Sequence, residues 1–356
     1  MAMPKLDGKV LITGASGFIG SRLRDELLAS GSDVVAIRRP GSPAATVGRS
    51  VQADYASAAD LEGVVRSEKP DYVLHVAGVT KGTAYEDFRL GNVMPTRNLL
   101  AAVRGAHPET KRFVMVSSST SFGPSATSAP QREENPPRPI EHYGQSKLEA
   151  ERVVELECGD VPWTIVRPCA VYGPSDVDHF TLFQSAMLGW NLFYGNRDRL
   201  MSWIYVDDCV RGILQAAAHP QSAGKGYFLT NDEQLTWGEF QGEVVRAVGR
   251  PVRDLNLPEQ AMWASAFAGE IATRIDKKPR ILNLQKARLG AQQAWTCVGD
   301  AARRDFGFTA EVDLIEGIPL THEWYLANDW YQSFNPKDLL SANSLRGLAR
   351  RLTRFR

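Results

Sequence analysis

The sequence of 356 residues lacks an excess of charge of either sign, since 41 lysines and arginines balance 41 aspartates and glutamates. A protein that binds nucleic acid usually carries a basic excess, so this balance argues against a nucleic-acid partner. Cysteine is scarce, and the four cysteines form no CxxC pair. Disulfide frameworks and zinc sites are therefore disfavoured, and a reducing compartment is expected.

Long hydrophobic runs are absent as well. No apolar run approaches the ~20 residues that a membrane-spanning helix needs, and the opening residues MAMPKLDGKV lack the apolar core of a signal peptide. We therefore expect a cytoplasmic protein. None of the six histidines pairs with another at metal-ligand spacing, and no HExxH or GxSxG motif occurs. We predict no metal site, and a serine hydrolase is disfavoured.

The even charge balance conceals a basic segment at residues 339–356. This segment holds five arginines and no acid, which leaves a net charge of about −5 on the rest of the chain. In a helix its leucines and Phe355 would share one face, with arginines on the other side. Such a segment can make a weak contact with an anionic membrane surface. A solvated or partly disordered terminus and a contact within an oligomer are the alternatives.

Short β-branched runs alternate with amphipathic helical patterns through the first half of the chain. Strands are predicted at Val10–Thr13, Val34–Ile37, Val51–Ala53, Tyr72–Val76, Phe113–Val116 and Thr164–Val166, with helices near 57–66, 84–104 and 144–157. Strand–helix–strand units of this length predict an α/β protein with a parallel, doubly wound sheet of Rossmann type and helices on both faces.

The regular alternation stops after Tyr172-Gly173-Pro174. Residues 175–202 are aromatic and irregular, a strand resumes at Trp203–Val206, and the pattern past Thr230 is helical with proline interruptions. We therefore predict a nucleotide-binding core, a smaller and mainly helical substrate lobe, and a basic tail. Their predicted ranges are 1–174 with 203–230 for the core, 175–202 with 231–332 for the lobe, and 333–356 for the tail.

The first predicted strand leads into a glycine-punctuated turn with the sequence Gly-Ala-Ser-Gly-Phe-Ile-Gly. Glycine allows a tight turn and lets backbone N–H groups approach a pyrophosphate at the N-terminus of the following helix. A nucleotide cofactor is therefore predicted, with a simple strand-to-helix turn as the alternative. The residues predicted to hold it here are Gly14, Ser16, Gly17, Phe18, Ile19 and Gly20.

Two arginines follow the second predicted strand, which ends at Ile37. An NAD-binding chain normally has an Asp or Glu there, whereas a guanidinium can pair with a 2′-phosphate that a carboxylate would repel. Arg38 and Arg39 therefore favour NADP, although NAD stays open and two solvated arginines would give the same pattern. Asp54 and Tyr55, after the third strand, are predicted to contact the adenine end of the cofactor.

Tyr143 and Lys147 stand four residues apart at the start of a predicted helix, so both face one side. A phenol with its ordinary pKa near ~10 is a poor acid–base catalyst at neutral pH, and a nearby ammonium is expected to lower that pKa. The fifth strand ends in a serine-rich run at 117–121, at the edge where open α/β sheets bind ligands. A packed tyrosine with a solvated lysine, and serines that only form a turn, are the alternatives.

Taken together, these motifs resemble the extended short-chain dehydrogenase/reductase superfamily, also called the NAD-dependent epimerase/dehydratase family. The resemblance covers roughly residues 8–332. It is carried by TGASGFIG at 13–20, HVAG at 75–78, the serine run, YGQSK at 143–147, RPCAVYGP at 167–174 and WIYVDD at 203–208. It implies a Rossmann fold, an NAD(P)-dependent enzyme and a homodimer through paired helices.

The family pattern also implies roles for matching residues. Ser118 would be the catalytic serine, with Ser119 as the second choice; Tyr143 would be the general acid–base, and Lys147 would bind the nicotinamide ribose. Further cofactor contacts are implied for Val76, Ala77, Gly78, Asn92, Ser117, Pro168, Cys169 and Val171. The residues expected to face the substrate are Thr80, Ser119 and Ala170.

Departures from the family pattern narrow the expected chemistry. Sugar-nucleotide dehydratases place an acid just after the catalytic serine or threonine, whereas Ser119 and Thr120 follow Ser118 here, so a 4,6-dehydratase is disfavoured. Many sugar-nucleotide epimerases carry Asn where this chain has Ala170. The segment RPCAVYGP is more similar to the dihydroflavonol reductase and 3β-hydroxysteroid dehydrogenase branches.

The expected activity is NADP-dependent hydride transfer to or from a carbonyl or secondary alcohol of a small substrate. A sugar-nucleotide epimerase that retains its cofactor and a non-catalytic NADP(H) sensor are the alternatives. Aromatic residues of the predicted lobe would line an apolar substrate pocket or form the core of the lobe, and both interpretations stay open. They include Phe180, Phe183, Trp190, Trp263 and Phe267.

Overall fold

The computed structural model describes residues 3–42, 47–276 and 284–332. The segment at residues 339–356 lies outside this part of the chain, so its membrane contact stays a prediction. The described chain alternates strands and helices as far as residue 229, and shorter strands separate the helices that follow.

Thirteen strands occur within the described residues. They are β1 (Lys9–Thr13), β2 (Asp33–Arg38), β3 (Arg49–Gln52), β4 (Tyr72–His75), β5 (Arg112–Val116), β6 (Trp163–Pro168), β7 (Ala170–Tyr172), β8 (Trp190–Tyr194), β9 (Leu200–Tyr205), β10 (Lys225–Leu229), β11 (Gln234–Thr236), β12 (Arg253–Leu257) and β13 (Ala294–Trp295). Seven form a parallel sheet in the order β10-β6-β5-β4-β1-β2-β3. The chain order reverses between β1 and β4, the kind of position where open α/β sheets bind ligands. The predicted doubly wound parallel sheet is confirmed.

Helices cover both faces of this sheet. The helices are α1 (Phe18–Ala29), α2 (Ala58–Glu68), α3 (Tyr85–Phe88), α4 (Met94–Ala106), α5 (His142–Glu157), α6 (Val177–Met187), α7 (Val206–Ala218), α8 (Trp237–Val248), α9 (Glu259–Asp276), α10 (Leu284–Gly290), α11 (Asp300–Phe306) and α12 (Leu314–Ala327). Val10 and Ile12 of β1 pack with α1 and α7, whereas Leu11 packs with α2, α4 and α5. Because side chains alternate across a strand, strands covered on both faces read as continuous apolar runs, which is why the sequence predicted them well.

A second group of strands lies outside the seven-stranded sheet. The predicted strand at Trp203–Val206 belongs to β9, which pairs with β7, β11 and β13. The other small sheet consists of β8 and β12 in parallel. Past Thr230 the described chain is mainly helical, and the short strands β11, β12 and β13 also occur there. They are short, and β12 is exposed over nearly its whole length, so no alternation of apolar residues marked them.

Aromatic side chains fill the core beside these smaller sheets. Phe180 and Phe183 of α6 are fully buried, and the Trp203 and Phe240 rings stack with their centroids 3.9 Å apart. Core packing is therefore the correct interpretation for both phenylalanines of α6. Phe267 of α9 fits neither interpretation, because 59% of its surface is exposed. None of the described helices is long and apolar enough to cross a membrane.

Candidate active site

The glycine turn joins the end of β1 to the start of α1. Gly14 has a φ of +73°, and a Cβ there would lie 2.7 Å from the backbone nitrogen of Ala77. A Cβ on Gly20 would collide with the Gly14 carbonyl oxygen. Glycine is therefore required where the ends of β1 and β4 and the first turn of α1 approach one another.

The N-terminus of α1 fits the pyrophosphate of a dinucleotide. Gly17 occupies the N-cap position, so within the described chain no side chain caps this helix, and its first turn carries no acid. By contrast, α2, α5, α6, α8 and α12 each begin with a capping side chain. Ser16 and Gly17 are exposed, and the N–H groups of Phe18 and Ile19 follow. Uncapped N–H groups with the helix dipole behind them favour a phosphate anion.

The predicted adenosine-end residues gather at the carboxyl ends of β2 and β3. Arg38 donates from Nη1 to the Ser42 carbonyl oxygen at 3.1 Å and to Gln52 Oε1 at 3.2 Å. Its Nε is buried with no hydrogen-bond partner among the described residues, and Arg39 is exposed. An unpaired buried donor beside an exposed guanidinium suits a phosphate ligand.

Asp54 and Tyr55 stand beside the same strand ends. The Tyr55 hydroxyl donates to the Ile37 carbonyl oxygen at 2.9 Å, and burial raises the pKa of Tyr55 to about 12. Asp54 Oδ1 accepts from the Ala56 N–H at 3.0 Å, so one of its carboxylate oxygens is already hydrogen-bonded within the loop after β3.

His75, at the end of β4, holds the turn that contains Val76, Ala77 and Gly78. Its Nδ1 bonds to Thr13 Oγ1 at 2.8 Å, and the same Thr13 oxygen accepts from the Ala77 N–H at 3.1 Å. Burial lowers the pKa of His75 to about 3, so the ring is neutral at physiological pH. Sequence analysis gave His75 no role; here it joins β1 to β4 beneath the turn.

Asn92 lies in a π-helical turn, Arg89–Val93, between α3 and α4. Its Oδ1 accepts from the Val79 N–H at 2.7 Å, and its Nδ2 donates to Ser146 Oγ of α5 at 2.8 Å. A Cβ on Gly78 would lie 2.9 Å from Asn92 Oδ1 and 3.8 Å from Lys147 Nζ. The π turn therefore brings the loop after β4 against α5, and such turns are frequent at functional sites.

The three predicted catalytic residues come together at the carboxyl end of β5. The Ser118 hydroxyl lies beside the Tyr143 side chain and accepts from the Thr120 hydroxyl at 3.0 Å, while Lys147 Nζ donates to the Val116 carbonyl oxygen at 2.7 Å. Glu141 caps α5, accepting from the Tyr143 N–H at 2.6 Å, and thereby fixes the start of the helix that bears Tyr143 and Lys147. Ser119, partly exposed, opens the short turn that Ser118 caps.

Burial dominates the electrostatics of these residues. It raises the pKa of Tyr143 to about 12, the Glu141 carboxylate adds to the rise, and the Ser118 hydrogen bond opposes it. The expected lowering of this pKa by Lys147 is thus wrong for the polypeptide alone, because desolvation of the phenolate outweighs nearby charge. Burial lowers the pKa of Lys147 to about 8, against an opposing effect of Glu151. At neutral pH Tyr143 is therefore a neutral phenol, and Lys147 is mainly an ammonium.

A buried ion pair that sequence analysis missed lies beneath Lys147. Arg167 of β6 donates from Nε to Glu151 Oε2 at 3.0 Å, and the exposed fractions of the two side chains are 6% and 1%. The Ser117 hydroxyl donates to Glu151 Oε1, so its side chain is turned toward this pair. Glu151 follows Lys147 by one helical turn, but no sequence pattern linked it to Arg167.

The remaining predicted residues follow β6. Pro168 ends β6, while Ala170 and Val171 lie in β7 and are partly exposed. Cys169 is buried, its N–H donates to the Leu229 carbonyl oxygen at 3.1 Å, and its thiol hydrogen-bonds to Cys297. Thr80, predicted to face the substrate, is exposed in the loop after β4.

Charged residues from three separate elements surround the start of α5. Lys81 Nζ, in the loop after β4, lies 2.8 Å from Asp178 Oδ1 of α6. Gln285 Oε1 of α10 accepts from the His142 N–H at 3.3 Å, and Lys286 favours the ionised forms of Glu141 and Asp178. The sequence did not predict this group of residues around the start of α5, because they come from segments far apart in the chain. Within the described residues, no group of three or more His, Cys, Asp and Glu side chains is arranged to hold a metal ion.

Known proteins resemble this chain in sequence and in fold. The model of the NAD dependent epimerase/dehydratase family matches residues 10–229. The ceramide reductase of Caulobacter vibrioides is 26% identical over 94% of this chain and 98% of its own length. The 2-alkyl-3-oxoalkanoate reductase of Shewanella oneidensis is 25% identical over 89% of this chain and 87% of its own.

Among solved structures, the UDP-glucose 4-epimerase of Thermotoga maritima superposes with a TM-score of 0.75 at 20% identity. It covers 90% of this chain and 99% of its own, which indicates a shared fold. The family match spans more than half of the chain and includes the glycine turn, Ser118, Tyr143 and Lys147. This chain therefore belongs to the NAD-dependent epimerase/dehydratase family and is an enzyme of the extended short-chain dehydrogenase/reductase type.

Proposed function

We propose that this chain is an NADP-dependent oxidoreductase that acts on a carbonyl or secondary alcohol of a small, largely apolar substrate. The observation that carries the proposal is that Ser118 and Tyr143 lie side by side, with Lys147 one helical turn further along α5 and hydrogen-bonded to the Val116 carbonyl oxygen. These groups meet at the carboxyl edge of the parallel sheet, the edge at which such sheets bind ligands.

Each residue of this group has a separate task. When bound, the cofactor supplies or accepts the hydride. Ser118 donates a hydrogen bond to the substrate oxygen and orients it beside Tyr143. In the reducing direction the neutral phenol of Tyr143 protonates that oxygen, since an alkoxide is a much stronger base than a phenolate. Lys147, held by Val116, stabilises the phenolate that forms and hydrogen-bonds to the nicotinamide ribose.

The cofactor-binding residues fit a dinucleotide phosphate. Uncapped N–H groups of α1 would take the pyrophosphate, and the exposed Arg39 with the partly buried Arg38 would take the 2′-phosphate. Asp54 and Tyr55 would border the adenine, while Gly78, Asn92, Pro168 and Cys169 would border the nicotinamide end.

The variant Arg39→Asp tests the preference for NADP. We expect the Kd for NADPH to rise about tenfold, which corresponds to the loss of one charge-assisted pair, with little change in the Kd for NADH. An equal rise in the Kd values for NADPH and NADH would contradict the preference for NADP.

The apolar character of the substrate is supported by the names of two relatives. They refer to a ceramide and to 2-alkyl-3-oxoalkanoates, both of which contain long hydrocarbon parts. Many sugar-nucleotide epimerases carry asparagine at the position of Ala170, so the alanine in this chain also favours a less polar substrate. We also propose a cytoplasmic homodimer, for which the exposed Leu156 of α5 suits a contact between paired helices.

The fate of the cofactor tests the proposed activity. Purified enzyme is incubated with NADPH and a panel of ketones carrying acyl chains, and NADPH loss is compared with alcohol formed. We expect one NADPH consumed per alcohol. Turnover of a sugar nucleotide with a retained cofactor and no net NADPH loss would instead identify an epimerase. Tight NADPH binding without turnover of any substrate would identify a sensor.

A further inference from the structure

His179, in the first turn of α6, lines a cleft beside the start of α5. Its side chain is 20% exposed, yet burial is the largest single influence on its pKa. Asp178, the residue before it, is 62% exposed, and burial is again the largest influence on its pKa. Tyr143 is likewise partly exposed and strongly desolvated. Side chains that water reaches but that the protein largely surrounds line a cleft rather than an open surface.

Two sets of interactions connect the start of α6 with the candidate active site. Asp178 forms its ion pair with Lys81, in the loop after β4. Lys286 of α10 interacts electrostatically with both Glu141 and His179. Because Glu141 caps α5, the starts of α5 and α6 lie near the same lysine. His179 therefore belongs to the surroundings of the catalytic residues.

The Trp203 indole extends the cleft lining from His179 toward Ala170, the position expected to face the substrate. The rings of His179 and Trp203 meet edge to face, with their centroids 5.6 Å apart. Trp203 of β9 pairs with Ala170 of β7, and both side chains pack in the same aromatic cluster. Trp203 is 1% exposed, and its Nε1–H has no hydrogen-bond partner among the described residues. An unpaired buried donor indicates an acceptor that the polypeptide does not supply.

The hydrogen-bonding groups at this part of the cleft are donors. Asp176 Oδ2 is hydrogen-bonded to His179 Nδ1, and Asp176 Oδ1 accepts from the Asp178 N–H at 2.9 Å. Burial lowers the pKa of His179, but Asp176 outweighs burial and raises the pKa above its ordinary value. The imidazolium form is therefore favoured, and its Nε2–H lies on the ring edge away from Asp176. Asp178, the neighbouring acceptor, is already paired with Lys81.

We propose that the substrate is an oxo acid whose carboxylate is bound by His179 Nε2–H, while its carbonyl lies at Ser118 and Tyr143. This inference rests on the proposed function and names its substrate class. A carboxylate matches an imidazolium donor in both charge and hydrogen bonding. The aromatic rings around His179 exclude water, which strengthens such a bond. The hydrocarbon part of the substrate spans the cleft between His179 and Tyr143, and the bound carboxylate fixes its orientation.

Binding to the protein saturated with NADP⁺ tests this proposal without turnover. Isothermal titration compares 5-oxohexanoate and 7-oxooctanoate with their methyl esters, which keep the chain and lose the charge. We expect an acid to bind about tenfold more tightly than its ester, which corresponds to one charge-assisted hydrogen bond. His179→Leu should abolish this preference by weakening the binding of the acid alone. His179→Gln keeps an N–H donor without the positive charge and should retain about a threefold preference.

The matched control is His322→Leu. His322 of α12 also packs on α6, through Phe183, and its Nδ1 is hydrogen-bonded to Tyr331. This variant should keep the tenfold preference, and denaturant unfolding checks that both leucine variants are folded. Equal binding of acid and ester by the wild type, no binding of either, or an unchanged preference in His179→Leu would overturn the proposal.

The same compounds separate this inference from the proposed function. A wild-type protein that prefers acids through His179 but oxidises no NADPH with any of them would contradict only the oxidoreductase activity. Reduction of ketones with no preference for acids over esters would contradict only the oxo-acid site.

Discussion

Two ion pairs adjoin the candidate active site, and they differ in their contact with water. Glu151 and Arg167 are 1% and 6% exposed and lie beneath Lys147 on the side of the seven-stranded sheet. Lys81 and Asp178 are 31% and 62% exposed and join the loop after β4 to α6. A buried charge that loses its partner is strongly destabilising, whereas an exposed pair contributes little.

The two sides of the site differ in the same way. On the sheet side, His75, Asn92, Ser117 and Glu151 are buried and hydrogen-bonded, so the groups that would face the cofactor have fixed positions. On the opposite side, Lys81 is partly exposed and Asp178 is largely exposed. Under the proposed function, this difference gives fixed positions to the groups that would serve the cofactor and the proton transfer, and freer positions to those on the substrate side.

The largest expected effect is at Tyr143, where the two sides meet. Tyr143→Phe keeps the ring and removes the proton, so kcat/KM should fall about 10²–10⁴-fold, the usual contribution of a general acid. Tyr72→Phe is the control, since Tyr72 lies at the amino-terminal end of β4, away from the strand ends that border the candidate site. Steady-state NADPH oxidation measures both variants. Activity within about threefold of the wild type, a difference under 1 kcal/mol, would contradict the catalytic assignment.

Glu151→Gln is expected to have the next largest effect, and it should change both the free energy of unfolding and the pH dependence of activity. Arg167 would stay buried opposite a neutral amide, so the free energy of unfolding should fall by about 3 kcal/mol. Glu151 raises the pKa of Lys147, which is about 8, so its removal lowers that pKa. Under the proposed function Lys147 acts as an ammonium, so activity should be lost as pH rises through its pKa, and the alkaline limb of the pH–rate profile should move to lower pH.

Denaturant unfolding and a pH profile of kcat/KM measure these two effects separately. Glu155→Gln, one turn further along α5 and exposed, should leave both nearly unchanged. A less stable Glu151→Gln protein whose alkaline limb stays in place would assign Glu151 a purely structural role. Glu151→Asp should move the alkaline limb part of the way back to its wild-type pH, since this variant keeps the negative charge.

Asp178→Asn should have the smallest effect of the three. The bridge to Lys81 is solvated, so unfolding free energy should change by less than about 1 kcal/mol. Because Asp178 touches the loop that holds Thr80, we expect KM to change up to about threefold while kcat stays constant. Glu62→Gln, which breaks the exposed pair with Arg66 on α2, serves as the control. A loss of stability as large as that of Glu151→Gln would remove the distinction between the two sides.

Much of the fold and part of the site could be predicted, because short local patterns encode them. The buried strands of the parallel sheet are runs of apolar residues, and Tyr143 and Lys147 share a helix face by spacing alone. Gly20 marks a turn whose need for glycine is local to the β1–α1 connection, whereas Gly14 must also leave room for Ala77 of the turn after β4. The arginine pair at the end of β2 is likewise read directly from the chain, and its role toward NADP stays a prediction.

Other features depend on residues that meet only after folding. Glu151 pairs with Arg167 from a different element, β9 joins β7 rather than the large sheet, and Phe267 of an apolar-looking helix is exposed. The pKa of Tyr143 rises where neighbouring charge was expected to lower it. By itself the sequence determined periodicity, turn geometry and the spacing of reactive groups, all of which involve neighbours along the chain. Tertiary structure alone decided burial, because desolvation depends on every segment that packs around a group, and burial sets the charge states of Tyr143 and Lys147.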